Sequence, residues 1–180
     1  MLPEEIEKLI HGCMANDKKC QKMLYERFSP RMYALCLRYM NSREEAQDVL
    51  QDGFIKVFSR MHMYRFDGVF EGWLRRVFVN TALEALRKNK RKFEERMDSG
   101  LHTEPIVANE AEQLMNSKEL MMALQKLALG YRTVFNLYIV EGYTHAEIAE
   151  MLGISESTSK SQLSRARVLL QEMIKKENVR

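Results

Sequence analysis

The stretch Gly-Tyr-Thr-His-Ala-Glu-Ile-Ala-Glu-Met-Leu-Gly-Ile-Ser-Glu-Ser-Thr, beginning at Gly142, leaves the chain few ways to fold. Thr144 followed by Glu147 is a capping box: each side chain can satisfy a backbone N–H that the start of a helix leaves without a partner. Ile148, Ala149 and Leu152 give that helix one buried side. Gly153 permits a tight turn, Ile154 plugs it, and Ser155 with Glu156 caps and charges the positive end of a second helix. A short helix, a turn through glycine and a second helix make a helix-turn-helix unit.

On a wheel of about 100° per residue, Ser159, Leu163, Ala166 and Leu170 of the second helix fall together and are expected to face the core. Ser157, Lys160, Ser161, Ser164 and Arg165 fall opposite. Small and basic side chains suit insertion into a DNA major groove, where they meet phosphates and guanine edges. A solvated amphipathic helix with ordinary surface lysines is the competing reading.

The rest of the chain is written for helices as well. Leu, Met, Glu, Lys, Arg, Gln and Ala dominate, and in 180 residues there are only 3 Pro and 8 Gly. The expected fold is therefore all-α, as two small helical domains joined by a flexible linker. Helices are expected over 3–14, from a cap at Asn16 or Asp17 to about Met40, over 43–61 behind a Ser42 cap, and from about 71 into the basic run ending at Lys92. Residues 62–70 read as a loop centred on Asp67-Gly68. Residues 93–112 lose periodicity and read as a linker between domains at 1–92 and 113–180. No apolar run reaches membrane-spanning length, and an acidic N-terminus is unlike a secretory signal, so a cytoplasmic protein is expected.

Charge is unevenly spread. Residues 71–92 hold seven basic and two acidic side chains, 93–119 hold two basic and seven acidic, and 155–180 hold six basic and three acidic. Two basic blocks about an acidic stretch suggest two sites on one long polyanion. On the helix from 71, Trp73, Arg76, Asn80, Arg87 and Arg91 share a stripe opposite Leu74, Phe78 and Thr81. An aromatic, an amide and guanidinium groups suit unpaired DNA, where rings stack on bases and arginines hold the backbone. A core tryptophan beside a solvated basic end is the alternative. Tyr64 to Phe70 adds aromatics and a glycine beside the stripe, where a flipped base could be held. Glu45, Asp48, Gln51 and Asp52 form an acidic face that would repel DNA and points to a basic protein partner. A carboxylate metal site and a plain solvated face are its rivals.

No nucleophile–base pair, phosphate-binding loop or His-Glu-x-x-His motif is found, so the chain is not expected to be an enzyme. No cofactor or metal is expected. His11, Cys13 and Cys20 match no common zinc spacing, and buried or incidental thiols explain them better.

The strings REEAQDVLQDGFIKVF, FEGWLRRVFVNTALEALRKNKR, YRTVFNLYIVEGYTHAEIAEMLGIS and TSKSQLSRAR, in this order, resemble the extracytoplasmic-function group of the sigma-70 family. The resemblance spans most of 20–92 (region 2) and 115–175 (region 4). It implies an alternative-type sigma factor that binds core RNA polymerase and directs it to promoter DNA. A polymerase-independent helix-turn-helix regulator is the other function considered. The resemblance places Asp48, Gln51, Asp52 and Phe54 against the clamp helices of the polymerase. It places Tyr64, Arg65, Phe66, Asp67, Gly68 and Phe70, with Trp73, Arg76, Asn80, Arg87 and Arg91, at the minus-ten element. It places Ser157, Thr158, Lys160, Ser161, Ser164, Arg165 and Arg167 at the minus-thirty-five duplex. It also implies an inhibitory anti-sigma partner, common in this group. The family often has a hydrophobic residue in place of Ser159, Arg in place of Gln162 and Pro near Ala128. The first departure is expected to loosen the recognition helix and the second to remove a phosphate contact.

Overall fold

The computed structural model describes residues 3–98 and 115–177, with side chains described over 4–89 and 121–174. The chain divides into two compact units, Met1–Ala108 and Asn109–Arg180. Among the described residues all regular structure is helical.

The first unit holds α1 (Pro3–Met14), α2 (Lys18–Tyr39), α3 (Arg43–Ser59), a 3-10 turn (Met61–Met63) and α4 (Phe70–Asp98). Its helix starts are written locally. The Asp17 carboxylate accepts from the backbone N–H groups of Lys19 and Cys20, which holds its pKa below the usual range. Ser42 Oγ accepts from the Glu45 N–H at 3.1 Å. Helix α4 runs through Asp98, further than the expected break at 93. Lys92 to Asp98 is made of tolerable helix residues, with no glycine or proline before Gly100.

The core lies where α2, α3 and α4 meet. Phe54 (3% exposed) is edge-on to Phe78 at 5.2 Å and packs on Tyr25 at 4.6 Å. Each such buried ring contributes about 1.5–3 kcal/mol. Gly53 allows this approach: a Cβ there would lie 2.3 Å from the Phe78 ring. Two polar ties join α3 to α4. Lys56 Nζ donates to Glu84 at 2.5 Å, and the Asn89 amide donates to Glu45 at 3.0 Å. The other oxygen of Glu45 takes the Asn41 N–H at 3.0 Å, so one carboxylate pins the α2–α3 turn to the far part of α4.

Burial pushes the Cys13 thiol up to about 11, with help from Cys20 and Asp17, and pushes Cys36 up to about 12. Both favour the protonated thiol at neutral pH.

The second unit holds α5 (Met115–Lys126), α6 (Leu129–Phe135), a π-helical turn (Asn136–Val140), α7 (His145–Leu152) and α8 (Glu156–Glu177). Ala123, Leu124, Leu127, Ala166 and Leu170 form a core cluster, with Tyr131 and Phe135 packed against it. The capping box at Thr144 is complete in both directions. Gly153 closes α7 with φ +66°, the left-handed conformation the turn needs. Gly142 has φ +80°, in the left-handed region, and follows the π-helical turn, in which the Glu141 N–H reaches Asn136 O.

Candidate nucleic-acid interface

Helix α8 presents the faces its wheel predicts. Ser159, Leu163, Ala166 and Leu170 are buried, while Ser157, Lys160, Ser161, Ser164, Arg165 and Arg167 are exposed. Ser155 Oγ accepts the Thr158 N–H at 3.0 Å and lies 2.8 Å from the hydroxyls of Ser157 and Thr158. Thr158, half-buried, therefore belongs to the cap more than to the open face. Lys160 lies 3.4 Å from Glu156, one turn back. Val168, 48% exposed, sits at the centre of this stripe, three and four residues from Arg165 and Ser164, an apolar position that the polar pattern alone does not announce.

Ser159, which departs from the family's usual hydrophobic residue, is fully buried. Its hydroxyl lies 2.9 Å from His145 Nδ1, and the His145 ring stacks on Tyr138 at 4.4 Å. Three elements are thus tied by one hydrogen bond and one ring stack. Gln162 is half-buried, its amide about 3.4 Å from where a Gly130 Cβ would sit, so it packs on α6. Removing the imidazole strands a buried hydroxyl. His145→Ala is expected to destabilise the C-terminal unit by about 1–3 kcal/mol, and adding Ser159→Ala should recover part of that loss. Chemical denaturation of both variants checks this; equal stabilities of the single and double variants would contradict it.

In the first unit the loop before α4 is built on an aromatic cluster. Tyr64 and Phe70 are buried (8% and 5% exposed) and pack edge-on at 5.2 Å, with Trp73 5.6 Å from Tyr64 and 5.7 Å from Phe70. The Tyr64 hydroxyl donates to Gly68 O at 2.7 Å, which clips the loop shut. Burial, then the carboxylates of Asp67 and Glu7, push its phenol pKa up. Tyr64 and Phe70, read from sequence as contact residues, are buried within this cluster. Arg65, Phe66, Asp67 and Gly68 are exposed, Trp73 is half-buried, and Arg76, Asn80 and Arg87 are exposed along α4. The Arg91 side chain lies outside the described residues.

On α3, Asp48, Gln51 and Asp52 are exposed on one face. Phe54 is not part of it: about 240° around the helix from Asp48, it points into the core. The apolar member of the face is Ile55, 65% exposed and seven residues from Asp48.

Two family models match this chain: Sigma-70 region 2 over residues 24–92 and Sigma-70, region 4 over residues 117–170. The chain belongs to the sigma-70 family. Curated relatives of this sigma factor include the ECF RNA polymerase sigma-E factor of Haemophilus influenzae, 28% identical over 179 residues and covering 93% of this chain and 94% of that protein. The ECF RNA polymerase sigma factor SigW of Bacillus subtilis is 28% identical over 181 residues, covering 94% of this chain and 97% of that one. Among solved structures, the sigma factor RpoE of Bartonella quintana, in complex with the anti-sigma factor NepR, shares the fold. Its TM-score is 0.61 at 23% identity, over 86% of this chain and 96% of that one. The region 2 match takes in α3, the aromatic loop and most of α4 of this sigma factor, and the region 4 match takes in α7 and most of α8.

Proposed function

We propose that this sigma factor holds core RNA polymerase through the exposed face of α3, and reads promoter DNA with two separate surfaces. Asp48, Gln51 and Asp52, with Ile55 among them, offer an acidic rim about an apolar point, suited to a basic helical partner. Arg65, Phe66, Asp67, Trp73, Arg76, Asn80 and Arg87 receive the unpaired minus-ten strand. Tyr64, Gly68 and Phe70 shape the loop that captures a base. Lys160, Ser161, Ser164, Arg165 and Arg167 read the minus-thirty-five duplex, with Ser157 and Thr158 at the helix start. Val168 lies where it can meet a thymine methyl.

The observation that carries this reading is the division of labour in exposed chemistry. Aromatic and amide groups sit with arginines on the first unit, where bases must be stacked. Small and basic groups sit on α8, where a groove must be entered. The chain itself makes and breaks no bond; the polymerase does the chemistry, in the cytoplasm. Residues 93–112 contain the tether between the two domains, and tethering raises the effective concentration of the second contact once the first has formed. An anti-sigma partner, such as the one bound to the Bartonella protein, would act by covering these same faces.

Run-off transcription with core polymerase and a promoter library tests the assignment. Specific starts are expected to vanish with Asn80→Ala. Arg165→Ala is expected to weaken minus-thirty-five reading by about 1–3 kcal/mol. Starts that survive Asn80→Ala would overturn the role given to the first surface, and unchanged sequence preference with Arg165→Ala would overturn the role given to the second.

A further inference from the structure

Phe66, at the tip of the loop before α4, has φ +61°, two residues ahead of Gly68 at φ +135°. A phenylalanine seldom adopts the left-handed region, and it stays there only when its surroundings hold it. Two rings do so. Tyr64 lies 4.9 Å away at 55°, and His11 stacks at 4.9 Å and 25°. Tyr64 is itself fixed within the loop by its bond to Gly68 O and its packing on Phe70 and Trp73. His11 comes from elsewhere, the last turn of α1, and its ring is otherwise engaged with the Glu7 carboxylate at 4.0 Å. The loop rests on α2 through Phe70, edge-on to Phe28 at 5.6 Å, and a cavity opens beside it. Ile6 and Ile10 of α1, Phe28 of α2 and the Arg31–Glu71 ion pair line a cavity of about 530 Å³. Beside that cavity, the imidazole braces the loop laterally from α1.

We propose that His11 is a positioning residue for strand capture: its ring braces Phe66 in the left-handed conformation and so holds residues 64–70 in the shape that receives an unpaired promoter base. Helix α1 lies outside the region 2 match, which begins at residue 24, so the family match gives His11 no role. The inference rests on the assignment of this loop to strand capture.

Promoter opening by the reconstituted holoenzyme, read from a fluorescent base analogue in the minus-ten element, tests it. His11→Ala is expected to lower opening about three- to tenfold, the worth of one ring contact. Polymerase affinity should not move, and the thermal midpoint of the free protein should fall by no more than the few degrees that one ring contact is worth. His11→Phe is expected to restore opening to within about twofold, while His11→Lys, which keeps a long side chain on the helix but no ring, is not. Unchanged opening in His11→Ala, an equal loss of polymerase affinity, or failure of His11→Phe to restore opening would each overturn the role. Asn80→Ala, run in parallel, separates the two layers. Normal opening there removes the strand-capture assignment, whereas lost opening there with normal opening in His11→Ala removes only the bracing role.

Discussion

Phe54→Ala is expected to cost the N-terminal unit about 3–5 kcal/mol, whereas Ile55→Ala, one residue on, should stay within about 0.5 kcal/mol of the parent. The difference is one of helical phase. Phe54 is wedged among Tyr25, Phe58 and Phe78, and its removal leaves a hole that Gly53, already in contact with the Phe78 ring, cannot fill. Ile55 stands in solvent. In a polymerase-binding assay the order of causes reverses. Phe54→Ala should lose affinity only as far as it unfolds, recovering at low temperature. Ile55→Ala should lose affinity with its melting curve intact. Thermal melts beside binding isotherms decide the matter. A fully folded Phe54→Ala protein that cannot bind polymerase would restore Phe54 to the contact surface.

The second large effect is electrostatic. Asp48 and Asp52 lie one turn apart on an exposed face. Replacing both with arginine turns an attraction for a basic partner into a repulsion. Like charges set against each other at an interface cost several kcal/mol, so Asp48→Arg with Asp52→Arg should weaken polymerase association by about 2–4 kcal/mol, on the order of 30- to 1000-fold. The free protein should melt much as before, because surface charges contribute little to folding. Salt gives a further signature. Added salt should weaken binding of the parent by screening and should narrow the gap between parent and variant. Undiminished affinity in the doubly reversed protein would show that polymerase binds elsewhere.

Helix starts were legible wherever a side chain does the capping, because a cap is a local transaction. Thr144, Ser155, Ser42 and Asp17 each satisfy backbone N–H groups two or three residues on, so the pattern is visible without knowing the fold. The faces of α8 were legible for a related reason: a clean period of 3.6 leaves one choice of inside. The family resemblance groups Phe54 with Asp48, Gln51 and Asp52, whereas helical spacing from those three favours Ile55 on their exposed face. The partners of Ser159 and Phe66 were out of reach. His145 is fourteen residues from Ser159, and His11 lies two helices before the loop it touches, so only the folded chain brings these rings together. The π-helical turn after α6 carried no signal either, since Asn136 to Val140 reads as ordinary helix.

Helix α3 is fastened to α4 at three levels: Phe54 against Phe78, Lys56 to Glu84, and Glu45 to Asn89. With α3 docked on the enzyme, that triple seam leaves no hinge between the docking point and Asn80. On the proposed reading, a promoter strand resting on α4 would inherit its coordinates from the grip on α3, delivered to the polymerase in a fixed register, as a jig presents a workpiece to a tool.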